Sequence, residues 1–345
     1  MPGLRPLTTI TLVIPTLLFT MSTPPPAAAT PSDVYGVGFG ADELQPQTPL
    51  ALQLASAANI DWIRLGLYWQ DVEPNPGQFD FQADDALIAS TRANHLNVLA
   101  ILAYSTDWST SAPADPPDQT NPTHYPPRAY TEWVSYVAAV VTRYKADIHY
   151  WEVWNEPDLS EFWHGTPSQY AALLAVTSST IKQIDSTATV VLGGQAFQDR
   201  SGHPASAFLT QILGDVDYPA ASNFDIAAFH YYLPPNEAPQ HVAEFRDALR
   251  RFGIGDRPIW ITEAGLPGWA MVANGNPDSG LAAQARWLDQ TLPSLVDLGA
   301  SRVFWFQLDE NPYAPNGFGL LGPDLSPRPA YEALQGLLAR SQLPA

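Results

Sequence analysis

Ile148-His149-Tyr150-Trp151-Glu152-Val153-Trp154-Asn155-Glu156-Pro157 is the stretch whose reading decides the fold. Its first seven residues are mostly apolar and β-favouring and predict a short strand. Pro157, which cannot donate to a sheet ladder, closes it. Alternation along that strand puts Glu152, Trp154 and Glu156 on one face, with Glu156 at the carboxyl end and the Asn155 amide beside it. A second run, Trp260-Ile261-Thr262-Glu263-Ala264-Gly265, also ends in a glutamate just before a glycine. One glutamate at a strand end is usually solvated or paired structurally. Two of them change the odds: a carboxyl at a strand end, backed by an amide and ringed by tryptophan, suits proton transfer on a sugar, and the second supplies the partner carboxylate it needs.

The same pattern recurs along the chain. Short apolar runs at 34–39, 60–67, 97–103, 148–154, 189–192, 226–230, 258–262 and 302–306 predict eight strands. Each is followed by a helical segment: near Thr48-Pro49, then 82–94, 129–144, 167–184, 204–213, 240–251, 279–298 and 329–340. The runs are near-continuous rather than alternating, as strands buried on both faces of a parallel sheet require. Eight β/α units predict a single-domain (β/α)8 TIM barrel over residues 34–345. The rival is an open doubly wound sheet. Its glycine-rich first turn is not matched by Gly36-Val37-Gly38-Phe39-Gly40, which lacks the spacing and the following helix start.

Composition narrows the partners. The 345 residues carry a formal net charge of -19, which disfavours nucleic acid and anionic membranes, since both call for basic patches. There are no cysteines, so disulfides, thiolate metal sites and a cysteine nucleophile are excluded. His203, His230 and His241 are scattered, and no metal or other cofactor is expected. The 34 prolines lie among aromatic and aliphatic runs and suggest ordered loops rather than disorder. Arg5, the apolar run at 7–19 broken by Pro15, and the small-residue site Ala27-Ala28-Ala29 predict a signal peptide over 1–29. The apolar run falls short of the ~20 residues of a membrane span. With a linker at 30–33, the reading is a secreted monomer with no membrane attachment after cleavage.

In such barrels the chemistry sits at the carboxyl ends of the strands. Those ends collect Arg64, Tyr68 and Trp69 from the second strand, and Asp107 and Trp108 from the third. Asn155 and Glu156 come from the fourth, His230 and Tyr232 from the sixth, Glu263 from the seventh, and Trp305 with Gln307 from the eighth.

At these residues the chain resembles the clan A glycoside hydrolases, retaining enzymes on a (β/α)8 barrel. Trp154-Asn155-Glu156-Pro157 matches the clan's Asn-Glu-Pro signature, and Ile261-Thr262-Glu263-Ala264-Gly265 its strand-seven nucleophile motif. Arg64 matches the strand-two arginine, and His230-Tyr231-Tyr232 the strand-six His-x-Tyr. Phe318-Gly319-Leu320-Leu321 and Ser326-Pro327-Arg328-Pro329-Ala330-Tyr331 are similar to the final loop and helix of family 39 and family 5 type members. The likeness covers residues 34–340. It departs at the loop 105–128, which is long and holds six prolines.

The resemblance implies a secreted retaining β-glycosidase acting by double displacement, with Glu156 as general acid and base and Glu263 as nucleophile. Arg64 and the Tyr232 hydroxyl would favour ionised Glu263. Trp154 packing, with repulsion from Glu263, would keep Glu156 protonated, and Asn155 would bond the sugar 2-hydroxyl. The alternative is that Arg64 pairs with Glu152 as a buried salt bridge, and both can hold in one network. His230 is open between a barrel hydrogen bond and a substrate contact. Trp305 is expected as the platform under the reacting sugar. Trp69, Trp108, Trp163 and Trp269 are candidates for stacking on further rings. With the 105–128 loop as a wall, they suggest an open groove and internal cleavage of a polysaccharide. A transglycosylase, an exo-acting β-xylosidase-like enzyme and a non-catalytic carbohydrate-binding barrel remain alternatives, although the last fits poorly with both glutamates present.

Overall fold

A computed structural model describes residues 31–39, 47–117, 120–198, 204–272, 275–311 and 315–341. The signal-peptide reading at 1–29, Gly40 and His203 lie outside them. In chain order the elements are β1 (Tyr35–Gly38), α1 (Thr48–Ala57), β2 (Trp62–Gly66), α2 (Trp69–Val72), α3 (Gln82–Ala93), β3 (Asn97–Leu102), α4 (Tyr130–Tyr144), β4 (Tyr150–Val153) and α5 (Pro167–Ile184). They continue with β5 (Thr189–Leu192), α6 (Ala207–Leu213), β6 (Ala227–Tyr231), α7 (Ala238–Arg251), β7 (Ile259–Ala264), α8 (Pro277–Asp297), β8 (Ala300–Phe306) and α9 (Pro329–Ser341). Every predicted strand is present.

The strands form one sheet in the order β5-β4-β3-β2-β1-β8-β7-β6, and every ladder within it is parallel. Between β5 and β6 the closure is made by isolated bridges, Val191 with Ile226 and Gln195 with Phe229. Backbone hydrogen bonds Leu192 N to Ile226 O (2.9 Å) and His230 N to Gln195 O (2.7 Å) reinforce it. The fold is therefore the expected (β/α)8 barrel.

Local sequence explains the helix starts. Thr166 accepts from Gln169 N while the Gln169 side chain answers the Thr166 N–H, and Pro167 follows at the first helical position. This capping box satisfies two donors that would otherwise be orphaned. α8 begins on Asn276, whose side chain accepts from Asp278 N, again with proline next in line. On α4 the buried residues Trp133, Tyr136, Val137, Val140, Val141 and Tyr144 recur at three- and four-residue spacing, the stripe a helix needs to lie on the barrel.

Parity along the strands sorts the side chains into an inside and an outside set. At the amino-terminal end the barrel is filled by Trp62, Leu99, Val191, Ile226, Ala228, Trp260 and Phe304, with Tyr150 against them. The Arg302 guanidinium lies 3.6 Å from the centre of the Trp62 ring and 4.5 Å from that of Trp260, and its Nε donates to Asp33 O at 2.6 Å. Desolvated cation–π contacts of this kind are worth about 2 kcal/mol. Gly36 is needed here, because a Cβ on it would stand 2.7 Å from the Phe304 ring. One level higher along the same parity stand Arg64, Glu152 and Phe306, so the packed floor leads directly into the polar site.

Candidate active site

Arg64 is the hub. It is buried and rises from β2 with three nitrogens engaged. Nε donates to Glu152 Oε2 at 2.7 Å, Nη1 to Glu263 Oε1 at 2.6 Å, and Nη2 to Asn155 Oδ1 at 2.9 Å. Glu152, fully buried, also accepts from Gly194 N (2.8 Å) and Thr262 Oγ1 (3.1 Å). A buried carboxylate so surrounded is compensated. The structural salt bridge and the contact to the strand-seven glutamate coexist in one network. Burial alone would lower the Arg64 pKa, but Glu152 and Glu263 more than restore it and push it above the usual arginine value.

Glu263 owes its position to an irregularity in β7. The register shifts between Ile261 and Ala264 against β8, and between Phe229 and His230 on the β6 side. Strict alternation from inward-facing Trp260 would point Thr262 inward and Glu263 away. The bulge lets Thr262 reach Glu152 and Glu263 reach Arg64, a re-aiming that bulges near active sites commonly provide. Glu263 also receives the Tyr232 hydroxyl on Oε2. Burial pushes its pKa up, but His230, Arg64 and the Tyr232 hydrogen bond outweigh that and hold the carboxyl below the ordinary carboxylate range.

Glu156 is placed by a turn rather than by the strand. β4 ends at Val153, and Trp154 and Glu156 adopt φ of 70° and 43°, left-handed values that non-glycine residues take only where surrounding contacts enforce them. The enforcing bonds are Trp154 N to Leu102 O and Glu156 N to Gly194 O, both 2.9 Å. Nearby, Asp158 accepts from Ala196 N and Phe197 N, also at 2.9 Å. The expectation that Glu152, Trp154 and Glu156 share one face is therefore corrected. Trp154 leaves the strand parity and is wholly buried against Tyr104, Trp133 and Trp163. The group within hydrogen-bonding distance of Glu156 is His230, with Nδ1 2.8 Å from Oε1.

His230 is buried beneath both carboxylates, its Nδ1 3.4 Å from Glu263 Oε2. Burial opposes its charge, but Glu263 and Glu156 raise its pKa above the ordinary histidine value. Of the two roles left open for it, the structure shows the barrel hydrogen bond, which joins it to the Glu156 carboxyl. One oxygen each of Glu156 and Glu263 and one His230 nitrogen lie within 4.8 Å of one another. A cation could be imagined in such a triad, but Arg64 and Tyr232 already engage the two Glu263 oxygens. A carboxylate spacing of about 5 Å suits a retaining displacement, whereas an inverting enzyme needs about 6.5–9.5 Å to admit a water.

The remaining candidates divide. Asn155 is half-buried, its carbonyl taken by Arg64 and its side chain bonded to Tyr104. Tyr232 stands at the mouth beside Glu263. Trp305 is fully buried, facing Trp287 of α8 with its indole on Phe318 O, so the expected platform role is corrected. Odd–even parity sends Trp305 outward and its neighbour Phe306 inward, where Phe306 meets Tyr232 and Phe318 edge-on at 6.4 and 5.5 Å. Trp69 and Trp163 are core residues, and Trp108 is half-buried against Trp69, its indole donating to Glu73 O. Trp269 alone of these four is exposed, at 66%. The described part of the 105–128 loop is cross-braced by Ser105 N to Thr123 O, Ser111 N to Pro126 O and Arg128 N to Ser109 O (2.6–2.9 Å).

Glutamates closing the fourth and seventh strands of a parallel barrel, a few ångströms apart, place the chain among the clan A glycoside hydrolases. More particularly, it belongs to the cellulase family, glycosyl hydrolase family 5, whose family model matches residues 27–307. It is 27% identical over 237 residues to a β-xylosidase of Geobacillus stearothermophilus, covering 60% of this chain and 46% of that protein. A β-xylosidase of Caldicellulosiruptor saccharolyticus is 26% identical over 239 residues, covering 61% and 46%. The chain thus spans about half the length of these relatives. The family 39 enzyme of Xanthomonas axonopodis pv. citri superposes with a TM-score of 0.70 at 20% identity, covering 90% of this chain and 68% of that one. At that identity the likeness is one of fold.

Proposed function

We propose that the protein hydrolyses β-glycosidic bonds with retention of configuration, Glu263 serving as nucleophile and Glu156 as general acid and then base. The observation that carries this is the approach of the two carboxyl groups to within 4.8 Å across His230. Glu263 is held ionised by Arg64, Tyr232 and His230, as a nucleophile must be. Glu156 sits beside it, with His230 Nδ1 2.8 Å from Oε1, and as general acid it gives its proton to the leaving oxygen. After the glycosyl–Glu263 ester forms, Glu156 takes a proton from the incoming water and the ester is cleaved.

The substrate we favour is a short β-linked oligosaccharide cut at its end, with β-xylosides the first to test, since both relatives named above are β-xylosidases. Internal cleavage of a polymer loses support, because Trp163 is buried and Trp108 is spent on packing. One observation keeps it as a second reading, the exposed Trp269 at the rim. The same residues would also serve glycosyl transfer to an acceptor sugar. We further propose export, from the apolar run and Ala27-Ala28-Ala29 at the amino terminus; amino-terminal sequencing of secreted protein tests it.

Proton NMR of an aryl β-xyloside reaction tests the mechanism. The first-formed sugar should be the β anomer, and an initial α anomer would overturn the double displacement. On a soluble xylan, monosaccharide should accumulate while viscosity barely changes. An early collapse of viscosity would favour internal cleavage instead.

A further inference from the structure

We propose that the exposed indole of Trp269 is a platform for a sugar ring of the substrate beyond the one that reacts, so that the site is built for an oligosaccharide. This rests on the glycosidase reading above and extends it to chain length.

Trp269 lies in the loop after β7, six residues past Glu263, and is therefore at the catalytic mouth. It is exposed yet fixed. Its indole donates to Asn316 O at 2.7 Å, and Gly268 N donates to Gly317 O at 2.8 Å. Gly317 has a φ of 85°, and a Cβ there would run into Trp269 Cδ1, so only glycine lets the backbone lie against the indole edge. Buried Gln284 of α8 holds both loops at once, its Nε2 donating to Leu266 O and Gly317 O at 2.9 Å.

Behind them the fully buried Glu310 carboxylate collects the N–H groups of Asn316 (2.5 Å), Gly317 (2.7 Å) and Gly319 (3.2 Å), with Arg328 Nη1 at 2.7 Å. A buried carboxylate needs such donors, and here they belong to the segment that carries the indole's acceptor. This scaffold presents an aromatic face to solvent in one fixed orientation, which a merely tolerated surface tryptophan does not require.

The platform is continuous with the reaction centre. Next to Gly317, Phe318 packs edge-on to Tyr232 at 5.6 Å, and the Tyr232 hydroxyl bonds Glu263. At the foot of this ledge Gln307 is buried, its Nε2 3.4 Å from Asn316 Oδ1 and its Oε1 without a hydrogen-bond partner among the described residues. Gln307 thereby ties the Asn316 segment to the end of β8. The apolar C–H face of a pyranose ring suits the indole. A second copy of the chain suits it less, because at a formal charge of -19 two copies repel each other.

The experiment is calorimetric titration of β-1,4-xylotetraose and cellotetraose into a Glu263→Gln variant, repeated in a Glu156→Gln background, each with and without Trp269→Ala or Trp269→Phe. Trp269→Ala should weaken the better-bound tetraose about tenfold, or about 1.4 kcal/mol, and Trp269→Phe should recover most of it. Unchanged affinity in both backgrounds overturns the platform, as does undetectable binding of both tetraoses to the parent variants. Sedimentation of the Trp269→Ala protein covers the rival occupant. A dimer lost with tetraose affinity intact assigns the indole to self-association and overturns the proposal. If wild-type enzyme hydrolyses no β-glycoside yet the titration shows the Trp269 effect, the catalytic reading fails and the platform stands.

Discussion

Arg64 Nη1 stands 2.6 Å from Glu263 Oε1, and the same guanidinium is anchored from behind by Glu152. The strand-seven carboxylate is thus fixed in place before any substrate arrives. Preorganised charge of this kind costs no rearrangement at the moment of reaction. The network also makes the site sensitive to single atoms, and its members can be tested separately.

Removing the Glu263 carboxyl should abolish turnover, and the small nucleophile azide should restore it. Glu263→Ala with added azide should convert an aryl β-glycoside into the α-glycosyl azide, because one displacement replaces two. Glu156→Ala should keep activity on aryl leaving groups that need little protonation and should yield the β-glycosyl azide. Products with the opposite anomers would reverse the two roles.

Tyr232→Phe deletes a hydrogen bond to charged Glu263. The Glu263 pKa is depressed in the folded protein, so its stabilising contribution is present above the ordinary carboxylate value and is lost as pH falls through the folded value. Without the hydroxyl that pKa moves up, and the acid limb of kcat/KM must shift to higher pH. A loss of about 1.5–3 kcal/mol in transition-state stabilisation is expected from one charge-assisted hydrogen bond. A pH–rate profile with its acid limb unmoved would show that Tyr232 does not control the ionisation of Glu263.

Glu152→Gln tests the hidden half of the network. Glutamine would turn an amide N–H toward the donors of Arg64, Gly194 or Thr262, which now meet carboxylate oxygens. Breaking a buried ion pair on one side costs about 3–5 kcal/mol, and urea unfolding should show that loss. A change below about 1 kcal/mol would mean that Asn155 and Glu263 satisfy Arg64 by themselves.

Much of this was legible in the sequence. The eight apolar runs lie within a few residues of the eight strands, because strands buried on both faces leave an unmistakable pattern. Arg64, Asn155, Tyr232 and the two glutamates could be gathered from strand ends, since a barrel brings those ends together whatever the loops do. The errors came where backbone geometry departs from simple alternation. The turn at Trp154 and Glu156 and the bulge before Glu263 are products of tertiary contacts that no local pattern encodes. For Trp305 alternation leaves the face open: only with Phe304 seated in the barrel floor and Arg302 over Trp62 does Trp305 turn to the helices and Phe306 inward. The Glu310 brace has no sequence signature because three of its four donors are backbone N–H groups, Arg328 being the fourth.

Gly265→Ala probes the close packing beside the nucleophile. A Cβ at this position would lie 2.7 Å from Phe306 O and 2.9 Å from the Phe318 ring. The first is backbone of the strand end and yields little; the second is a side chain that also packs against Tyr232. The added methyl should therefore displace Phe318 and, through Tyr232, the carboxylate it bonds. Overpacking should lower stability by about 1–3 kcal/mol, while a shift of the reacting groups by a fraction of an ångström to 1 Å can lower turnover up to about 100-fold. The measurement is kcat/KM on an aryl β-glycoside at a temperature where circular dichroism shows the variant fully folded. Turnover equal to wild type in that folded protein would show that the Phe318 wall does not position Glu263.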